Sequence, residues 1–325
     1  MRWLVTGGLG FIGSHFIRLA LSERPEAAIV NLDAVTYAGN PANLRDVEND
    51  PRYRFVKGDV CDPAAVRDAL RGGADAIVNF AAETHVDRSI SDPGVFLRTD
   101  TLGTGVLLAA QREFHVPRYV QVSTDEVYGE VARGESLEND PLRPRSPYAA
   151  SKAGADLLAL AYHETYGAPV LITRGSNTYG PNQYPEKIVP LFVTNLLDDE
   201  PVPVYGDGLQ VRDWIYVEDH ARAILHVLER GEPGNVYNVS AGNARTNLDL
   251  TKLLTRGCGR SMETHVKHVT DRLGHDRRYA INSEKVRALG WRPAMPFEEG
   301  VARTIAWYRE NEAWWRPLKS EAAAS

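Results

Sequence analysis

Two short segments of this 325-residue chain carry side chains that can exchange protons. Tyr148 and Lys152 stand four residues apart, which places them on one face of a helix. An ammonium beside a phenol favours the phenolate, so we expect Lys152 to lower the pKa of Tyr148 below its usual value of about 10. About twenty residues earlier, Thr124 is followed by Asp125 and Glu126, two neighbouring carboxyl groups. Different surroundings would separate their pKa values and supply both a general acid and a general base.

Taken alone, each segment is weak evidence of a site. An Asp-Glu pair after a strand is often a solvated loop, and a Tyr-x-x-x-Lys helix start is often only surface. Their joint occurrence behind a cofactor motif favours a reaction, and that motif opens the chain. Residues 2–6 form an apolar run, residues 7–13 form a glycine turn, and residues 14–21 have helical periodicity.

A strand, a glycine turn and a helix are the context that a dinucleotide motif requires. Gly7, Gly10 and Gly13 allow a tight turn and close backbone approach to a pyrophosphate, while the helix N-terminus offers N–H groups to the phosphates. A second predicted strand, residues 28–32, ends at Asp33, about twenty residues beyond Gly13, where an acidic side chain holds the ribose hydroxyls. Its charge would repel a 2′-phosphate, so we expect NAD rather than NADP.

Apolar runs and helical stretches continue to alternate as far as Arg174. Strands are predicted at residues 54–56, 76–80, 119–122 and 170–173, with helices that include residues 95–113 and 151–166. This alternation predicts an α/β fold built on a doubly wound parallel sheet. Ligands in such folds lie beyond the carboxyl ends of the strands.

Two of these strand ends carry further candidates. Asp59 ends the third strand, although it could equally be the N-cap of the helix that includes residues 64–70. Residues 81–85 end the fourth strand, and there His85 is interpreted as structural rather than catalytic.

Beyond Arg174 proline and glycine become frequent, loops are expected to dominate, and the region is expected to select the substrate. Asn177 lies in a turn-rich stretch, and Arg212 and Arg272 are candidate phosphate-binding forks, although a surface arginine is usually only solvated. A helix at 217–228 and a strand at 235–239 look like returns to the nucleotide fold. The predicted division is an NAD-binding domain at 1–174, with returning segments at about 213–240, and a smaller substrate-binding domain at 175–212 and 241–325.

Composition narrows the function further. The 37 Lys and Arg against 43 Asp and Glu give a net charge of −6, which argues against a general nucleic-acid binder. Cys61 and Cys258 provide neither a disulfide framework nor a zinc ligand set, which fits a reducing cytosol. The histidines at 265, 268 and 275 lack partners at ligand spacing, so no metal is expected. Apolar runs fall short of the ~18 residues of a membrane span, so we expect a soluble, cytoplasmic protein with no membrane partner.

Six segments carry a family resemblance: residues 7–13, 81–90, 123–129, 148–152, 179–187 and 274–279. Together they resemble the dTDP-glucose 4,6-dehydratases of the extended short-chain dehydrogenase/reductase (SDR) superfamily, from residue 1 to about residue 310. The Thr124-Asp125-Glu126 triplet is the most discriminating element, because nucleotide-sugar epimerases share the glycine turn and the Tyr/Lys pair but not the triplet. The resemblance implies a Rossmann fold of the extended SDR type with a smaller C-terminal substrate-binding domain.

The resemblance also implies a mechanism. Tyr148, supported by Lys152 and Thr124, would deprotonate the glucose 4-hydroxyl while a hydride passes from C4 to NAD⁺. Glu126 would remove the C5 proton, Asp125 would protonate the departing 6-hydroxyl, and the hydride would return to C6.

By the same resemblance, two sets of residues would contact ligands. The cofactor contacts would be Gly7, Gly10, Phe11, Ile12, Gly13, Asp33, Thr36, Asp59, Val60, Ala81, Ala82, Thr99, Tyr148, Lys152 and Thr178. The nucleotide-sugar contacts would be Thr84, Thr124, Asn177, Lys187, Tyr205, Arg212, Asn247, Arg272 and His275. The resemblance further implies a homodimer that pairs the two long helices at 95–113 and 151–166.

Two positions depart from the family pattern, and alternatives stay open. Leu273 stands where the family commonly has proline, which should loosen the loop that carries Arg272, and Gly175 stands where a cysteine is frequent. Thymine and uracil differ by one methyl group, so UDP-glucose remains an alternative substrate. A 4-epimerase would leave Asp125 and Glu126 without a task. A non-catalytic NAD-sensing regulator would not need the Tyr/Lys pair.

Overall fold

Strands and helices alternate through the first half of the chain, as the sequence predicts, and both continue through the second half. The structure, a computed structural model, describes residues 1–324, with side chains as far as residue 320. The strands are β1 Arg2–Thr6, β2 Ala28–Asp33, β3 Tyr53–Lys57, β4 Ala76–Asn79, β5 Tyr119–Thr124, β6 Val170–Gly175, β7 Asn177–Tyr179, β8 Val202–Tyr205, β9 Val211–Tyr216, β10 Asn235–Val239, β11 Ala244–Thr246 and β12 Val266–Val269.

The helices complete the element order. They are α1 Phe11–Glu23, α2 Pro63–Leu70, α3 Val86–Ser91, α4 Pro93–Phe96, α5 Gly103–Glu113, α6 Pro147–Tyr166, α7 Ile188–Leu197, α8 Val217–Arg230, α9 Asn247–Gly257, α10 Met262–His265, α11 Glu284–Ala288, α12 Phe297–Glu310 and α13 Glu312–Ala324. Short 3₁₀ turns occupy Pro41–Leu44 and Asp125–Tyr128, and a π-helical turn occupies Leu97–Leu102.

A seven-stranded sheet in the order β10-β6-β5-β4-β1-β2-β3 forms the centre of the molecule. Its strands pair in parallel throughout, which confirms the predicted α/β doubly wound fold. The chain moves from β1 outward to β2 and β3, then crosses back to β4 and continues outward on the other side. The strand order therefore reverses between β1 and β4, which is where such sheets leave a ligand-binding crevice.

Helices cover both faces of this sheet, so its central strands are apolar on both sides. On one face Phe16 and Ile17 of α1 pack with Ile224 of α8. On the other face Leu107 and Leu108 of α5 pack against the sheet. A third cluster lies in the second half of the chain and is rich in aromatic residues, among them Tyr179, Phe192, Trp214, Phe297, Tyr308 and Trp315. Each fully buried large apolar side chain contributes about 1.5–3 kcal/mol to folding.

The helix and the strand that were predicted as returns to the nucleotide fold are both present and contact the first half of the chain. Strand β10 pairs with β6 at one edge of the central sheet, and α8 packs against α1. The helix predicted at 95–113 is also present, but the π-helical turn Leu97–Leu102 divides it into α4 and α5. A π-helical turn inserts one extra residue into a helix and often occurs beside a functional site.

One expectation for local structure was wrong, and one of the two alternatives for Asp59 is excluded. The region beyond Arg174 is not dominated by loops, because it holds α7, α9, α12 and α13 and two small sheets in the orders β11-β9-β7 and β12-β8. Strands this short pair over long sequence distances, so they leave little periodic pattern. Asp59 is not the cap of α2: that position belongs to Asp62, whose side chain accepts a hydrogen bond from Ala64 N at 2.9 Å.

Candidate active site

Two adjoining cavities, of about 330 and 530 Å³, lie along the crevice. The first is lined by the segments that follow the carboxyl ends of β1 to β6, and the second lies toward the two small sheets. Their linings share Glu126, Asn177, Thr178, Gln183, Glu186 and Lys187. The two cavities therefore form one continuous cleft of a size that suits a dinucleotide and a nucleotide sugar.

The sequence-based candidates line this cleft. The first cavity is lined by the proton-exchange candidates Thr124, Asp125, Glu126, Tyr148 and Lys152, and by Gly7, Gly10, Phe11, Ile12, Gly13, Asp33, Thr36, Asp59, Val60, Ala81, Ala82, Thr84, Thr99 and Thr178. The second is lined by Tyr205, Arg212, Asn247, Arg272 and His275. Asn177 and Lys187 line both.

The glycine turn shapes the cofactor end of the cleft. Gly7 has a φ of +67°, and a Cβ there would lie 2.6 Å from Ala81 N, so β1 and β4 can meet only at a glycine. A Cβ at Gly13 would lie 2.5 Å from Gly7 O, which keeps helix α1 close to the turn. Among the described atoms outside its two chain neighbours, only Gly7 O lies within 4 Å of a Cβ built at Gly10, so this glycine leaves its surface open to the cavity. The turn and the N-terminus of α1 thus form a cradle that suits a pyrophosphate.

Asp33 lies at the carboxyl end of β2, on the wall of the same cavity. Its Oδ2 accepts a hydrogen bond from Leu9 N at 2.9 Å and its Oδ1 accepts one from Val35 N at 2.8 Å. Burial raises the pKa of Asp33, and the two backbone hydrogen bonds oppose that rise. Each carboxylate oxygen keeps a second lone pair, so the side chain remains a fitting acceptor for ribose hydroxyls.

Tyr148 and Lys152 lie on the first two turns of α6, as their spacing predicts. Ser146 caps this helix by accepting a hydrogen bond from Ala149 N at 3.1 Å, and Pro147 occupies the first helical position. Lys152 Nζ donates to the backbone oxygen of Val122 at 2.7 Å, which ties α6 to β5.

The expected lowering of the Tyr148 pKa is wrong for this structure. Burial raises the pKa of Tyr148 well above its ordinary value, and the negative charges of Glu126 and Asp100 raise it further. A hydrogen bond with Thr124 only partly opposes these effects. Sequence spacing could place Lys152 near the phenol, but it could not show how deeply the phenol would be buried.

The triplet forms a tight turn at the end of β5. Thr124 begins the 3₁₀ turn Asp125–Tyr128, and its hydroxyl accepts a hydrogen bond from Glu126 N at 3.3 Å. Asp125 is 2% exposed, and burial followed by the charge of Glu126 raises its pKa well above the usual range, although Arg212 opposes the shift. The raised pKa favours the protonated form of Asp125, which is the form that a general acid requires.

Cationic side chains line the part of the cleft that lies toward the small sheets. Lys187 Nζ donates to Thr84 O, and burial lowers the pKa of this lysine. Arg272 lies 3.8 Å from the carboxylate of Asp87, and the Tyr205 hydroxyl donates to Asp87 at 3.3 Å. These contacts bridge the two sides of the second cavity.

Arg212 and His275 are held by contacts with other residues of the second half of the chain. The Arg212 guanidinium donates to Val211 O and Asp276 O, both at 2.8 Å, and lies 4.1 Å above the ring of Tyr279. His275 Nδ1 lies 2.6 Å from Asp271 Oδ1, and burial lowers the histidine pKa.

Sequence reasoning missed two acidic groups at this site. Glu83 lines the first cavity, and burial together with Asp100 raises its pKa to about 7. Asp100 lies in the π-helical turn and accepts hydrogen bonds from Ser151 Oγ at 2.5 Å and Glu83 N at 3.0 Å. Burial raises its pKa to about 6. The position of Glu83 after β4 could have identified it, whereas Asp100 comes into contact only through the packing of α6.

His85 lines the second cavity and also makes a structural contact, so its interpretation as structural stays a prediction. It precedes α3, and its Nδ1 accepts a hydrogen bond from Arg88 N at 3.4 Å. The histidines at 265, 268 and 275 contact separate neighbours, which are Asp199, Gly206 and Asp271. Within the described residues, no group of three or more His, Cys, Asp or Glu side chains could hold a metal ion.

Two further findings concern the rest of the chain. Cys61 and Cys258 are free thiols. A search of the helices in the part of the chain that the structure describes finds none with the length and apolar character needed to cross a membrane.

Known proteins match this chain over nearly its whole length. The family model for GDP-mannose 4,6 dehydratase matches residues 4–304. The dTDP-glucose 4,6-dehydratase of Streptomyces antibioticus is 53% identical over 329 residues, which cover 99% of this chain and 97% of that protein. The solved structure of dTDP-glucose 4,6-dehydratase from Streptomyces venezuelae, with NAD bound, matches with a TM-score of 0.95 and 52% identity, covering 98% of this chain and 100% of that chain.

The structure of a 4-epimerase is also similar. The UDP-glucose 4-epimerase of Thermus thermophilus, in complex with NAD, has a TM-score of 0.88 and 33% identity, covering 96% of this chain and 100% of that chain. The fold is therefore shared between enzymes with two different names. The higher identity to the dehydratases confirms the resemblance that the sequence motifs carry.

The raised pKa of Asp125 predicts how replacing it changes stability with pH. A carboxyl group whose pKa is higher in the folded state stabilises the protein most below its unfolded pKa near 3.8, and that contribution is lost as the pH rises toward the folded pKa. Asp125→Asn keeps the shape of the neutral acid and does not ionise. We expect the stability of Asp125→Asn, measured relative to that of the unaltered protein, to be greater at about pH 8 than at about pH 5.

Denaturant unfolding at both pH values measures this difference. Asp68→Asn is the matched control, because Asp68 lies on α2 with a side chain that is 50% exposed. An Asp125→Asn difference that does not change with pH, or that matches the control, would contradict the predicted proton on Asp125.

Proposed function

Because the chain belongs to the GDP-mannose 4,6 dehydratase family, we propose that it is a dTDP-glucose 4,6-dehydratase. It converts dTDP-glucose to dTDP-4-keto-6-deoxyglucose and water, with NAD as its cofactor. The enzyme would be a hydro-lyase that transfers a hydride internally from C4 to C6 of the sugar. The relatives in Streptomyces antibioticus and Streptomyces venezuelae carry this name, and the latter was solved with NAD bound.

One observation carries the proposal: the cavity that holds Tyr148 and Lys152 also holds Asp125 and Glu126. A 4-epimerase or a simple dehydrogenase needs proton exchange only at the 4-hydroxyl. Elimination of water across C5 and C6 needs a base and an acid besides. Asp125, whose pKa is raised by burial and by the charge of Glu126, and Glu126 itself would provide this second acid/base system.

The residues at the glycine turn fit NAD. Gly7, Gly10 and Gly13 leave room for the pyrophosphate at the N-terminus of α1, and Asp33 offers its carboxylate to the ribose hydroxyls. Bound NAD⁺ would supply positive charge and the hydride chemistry, in which a hydride would leave C4 of the glucose and return to C6. The remaining predicted cofactor residues line the same cavity, including Thr36, Asp59 and Thr99.

Tyr148 removes the proton of the 4-hydroxyl as C4 becomes a ketone. Its hydrogen bond with Thr124 stabilises the phenolate, and Lys152, anchored at Val122 O, supplies a cation one turn further along α6. The raised pKa of Tyr148 means that proton release depends on added positive charge near the phenol. This group acts before the elimination.

Elimination of water falls to the two carboxyl groups of the turn. The new C4 ketone acidifies C5, and Glu126 removes the C5 proton. Asp125 gives its proton to the departing 6-hydroxyl, which leaves as water. Return of the hydride to C6 and of a proton from Glu126 to C5 completes the 4-keto-6-deoxy sugar. Transfer of one proton from Tyr148 to Asp125 through solvent restores both groups for the next turnover.

The second cavity holds the nucleotide diphosphate. Arg272, Arg212 and Lys187 supply positive charge, and Arg272 exchanges its contact with Asp87 for the substrate phosphates. The other proposed contacts are Thr84, Asn177, Tyr205, Asn247 and His275. The thymine base is proposed from the names of the relatives, and incubation with UDP-glucose in parallel tests that choice.

The division into two domains follows the sheets. The seven-stranded sheet with its helices would be the NAD-binding domain, and α8 and β10 support a returning segment at about 213–240. The small sheets and the aromatic cluster of the second half would form the substrate-binding domain. The free thiols of Cys61 and Cys258 support a place in the reducing cytoplasm.

A homodimer is part of the proposal. Large apolar side chains are exposed along the two neighbouring helical stretches: Leu97 and Leu102 in the π-helical turn are 54% and 55% exposed, and Leu157 on α6 is 56% exposed. Thr101 Oγ1 donates to Ser151 O at 3.0 Å, which holds the two stretches side by side. A second copy of the same helix pair would cover this face.

The fate of hydrogen atoms tests the proposed reaction. Substrate deuterated at C4 should give a 4-keto-6-deoxy sugar with deuterium in its new methyl group, and unlabelled substrate in D₂O should gain deuterium at C5. NMR of the product measures both positions. Label returned to C4 would indicate an epimerase, label lost to free cofactor would indicate a dehydrogenase, and unchanged substrate would indicate a regulator. Any of these three outcomes would refute the dehydratase.

Substitutions in the two acid/base systems should block different steps of the reaction. Tyr148→Phe should lose ~10²–10⁴-fold in turnover without forming bound reduced nicotinamide. Glu126→Gln should lose a similar factor but still oxidise C4, so reduced nicotinamide should accumulate on the enzyme. Stopped-flow absorbance of the reduced nicotinamide separates the two. Near-normal turnover by Glu126→Gln would remove it from the role of the C5 base.

The exposed helical face should control the oligomeric state. Light scattering on a sizing column should find a dimer for the unaltered protein and a monomer for Leu157→Asp, because a buried charge opposes association. Leu137→Asp is the matched control, since Leu137 is 47% exposed in the loop that precedes α6. A monomeric unaltered protein, or equal effects of both substitutions, would exclude this face as the dimer interface.

A further inference from the structure

A buried ion pair lies behind the two acid/base systems and belongs to neither. Arg174 Nε donates to Asp156 Oδ2 at 2.9 Å, and the two side chains are 2% and 0% exposed. Arg174 is the second-last residue of β6, immediately before Gly175 on the cavity wall. Asp156 lies on α6, one turn beyond Lys152 and two turns beyond Tyr148 on the same face.

The ion pair is joined to the turn that carries Asp125 and Glu126. Tyr128 is the last residue of that turn, and its hydroxyl accepts a hydrogen bond from Arg174 Nη1 at 2.7 Å. The same hydroxyl donates to Asn238 Oδ1 of β10 at 2.8 Å. One phenol oxygen therefore connects β6, β10 and the Tyr128 end of the turn Asp125–Tyr128, which is the reaction turn.

The network continues into the loop between the turn and α6. Asn238 Nδ2 donates to Ser136 O at 3.1 Å, and Asn238 N donates to Glu138 Oε1 at 3.1 Å. Arg174 Nη1 also donates to Glu138 O at 3.3 Å. The loop is thus anchored to the sheet through the residues that hold Tyr128.

Directional contacts of this kind fix position better than apolar packing does. A buried ion pair gains little net stability over a hydrophobic pair of similar volume, because desolvation of both charges offsets their attraction. Arg174 has a planar guanidinium that meets Asp156 on one side and Tyr128 on another, so it sets the geometry between α6 and the reaction turn. A shift of about 1 Å in a reacting group costs on the order of 10²-fold in rate.

We propose that Asp156, Arg174 and Tyr128 are positioning residues that hold the Asp125–Glu126 turn against the α6 face that carries Tyr148 and Lys152. The proposal rests on the proposed dehydratase function. It adds that elimination of water, the step after oxidation of C4, requires these three residues for its full rate. Tyr148 is placed by the N-terminus of α6 and its Ser146 cap, whereas Asp125 and Glu126 depend on the Tyr128 end of the turn. Loosening Tyr128 therefore affects elimination and spares oxidation of C4.

Tyr128→Phe is the decisive variant, because it keeps the buried ring and removes only the bridging hydroxyl. The rate of C4 oxidation, monitored by stopped-flow absorbance, should stay within about twofold of the rate of the unaltered protein. Elimination should slow by on the order of 10- to 100-fold, so bound reduced nicotinamide should accumulate after substrate is added. The 4-keto-6-deoxy product should still form, with kcat reduced and the binding of dTDP unchanged.

Tyr119→Phe is the matched control. Tyr119 is a fully buried tyrosine of β5 whose hydroxyl donates to Gln121 at 2.7 Å, at the opposite end of the strand from Thr124. Both variants lose one buried hydrogen-bonding hydroxyl, and thermal unfolding measures the cost of each. Only Tyr128→Phe should accumulate reduced nicotinamide.

Two results would overturn the positioning role. One is equal kinetics for the two variants, and the other is a Tyr128→Phe enzyme that slows oxidation as much as elimination. Failure of the unaltered protein to form a 4-keto-6-deoxy sugar would instead refute the proposed function, so the two failures are distinguishable.

Discussion

The reversal of strand order between β1 and β4 is the constraint on which the cleft depends. Because β2 and β4 flank β1 on opposite sides, the chain segments that follow β1 and β4 diverge and leave a crevice between them. The two strand ends approach so closely that only a glycine fits at Gly7 against Ala81. The glycine turn, the triplet after β5 and the face of α6 are all positioned relative to this one junction.

Burial then determines the charge distribution across the cleft. Asp125 and Tyr148 on the sheet side have raised pKa values because little water reaches them. Arg272 and Lys187 approach from the segments beyond β6. Groups that exchange protons on one side and cations on the other suit a substrate with a reactive sugar and an anionic diphosphate. The proposed orientation of the nucleotide sugar follows from that asymmetry.

The sequence predicted the parts of the site that are contiguous in the chain and not the parts that tertiary packing creates. The glycine turn, the triplet and the Tyr148/Lys152 pair are local patterns, and the strands up to Arg174 are periodic apolar runs. The contact of Asp100 with Glu83 and the pairing of Arg174 with Asp156 arise from helix packing and strand order, which no local pattern encodes. The sign of the Tyr148 pKa shift depended on burial, so spacing alone gave the wrong direction.

Contacts of the flanking residues hold the loop in which Leu273 follows Arg272. The loop around Arg272 is held at one end by Asp271, which accepts a hydrogen bond from Gln210 and pairs with His275. At the other end Asp276 pairs with Arg145 at 2.8 Å. Leu273 itself is 79% exposed, so its side chain adds little to this ordering. A leucine in place of proline therefore acts mainly by giving the unfolded chain more backbone freedom. The folded position of Arg272 depends instead on the flanking carboxylates.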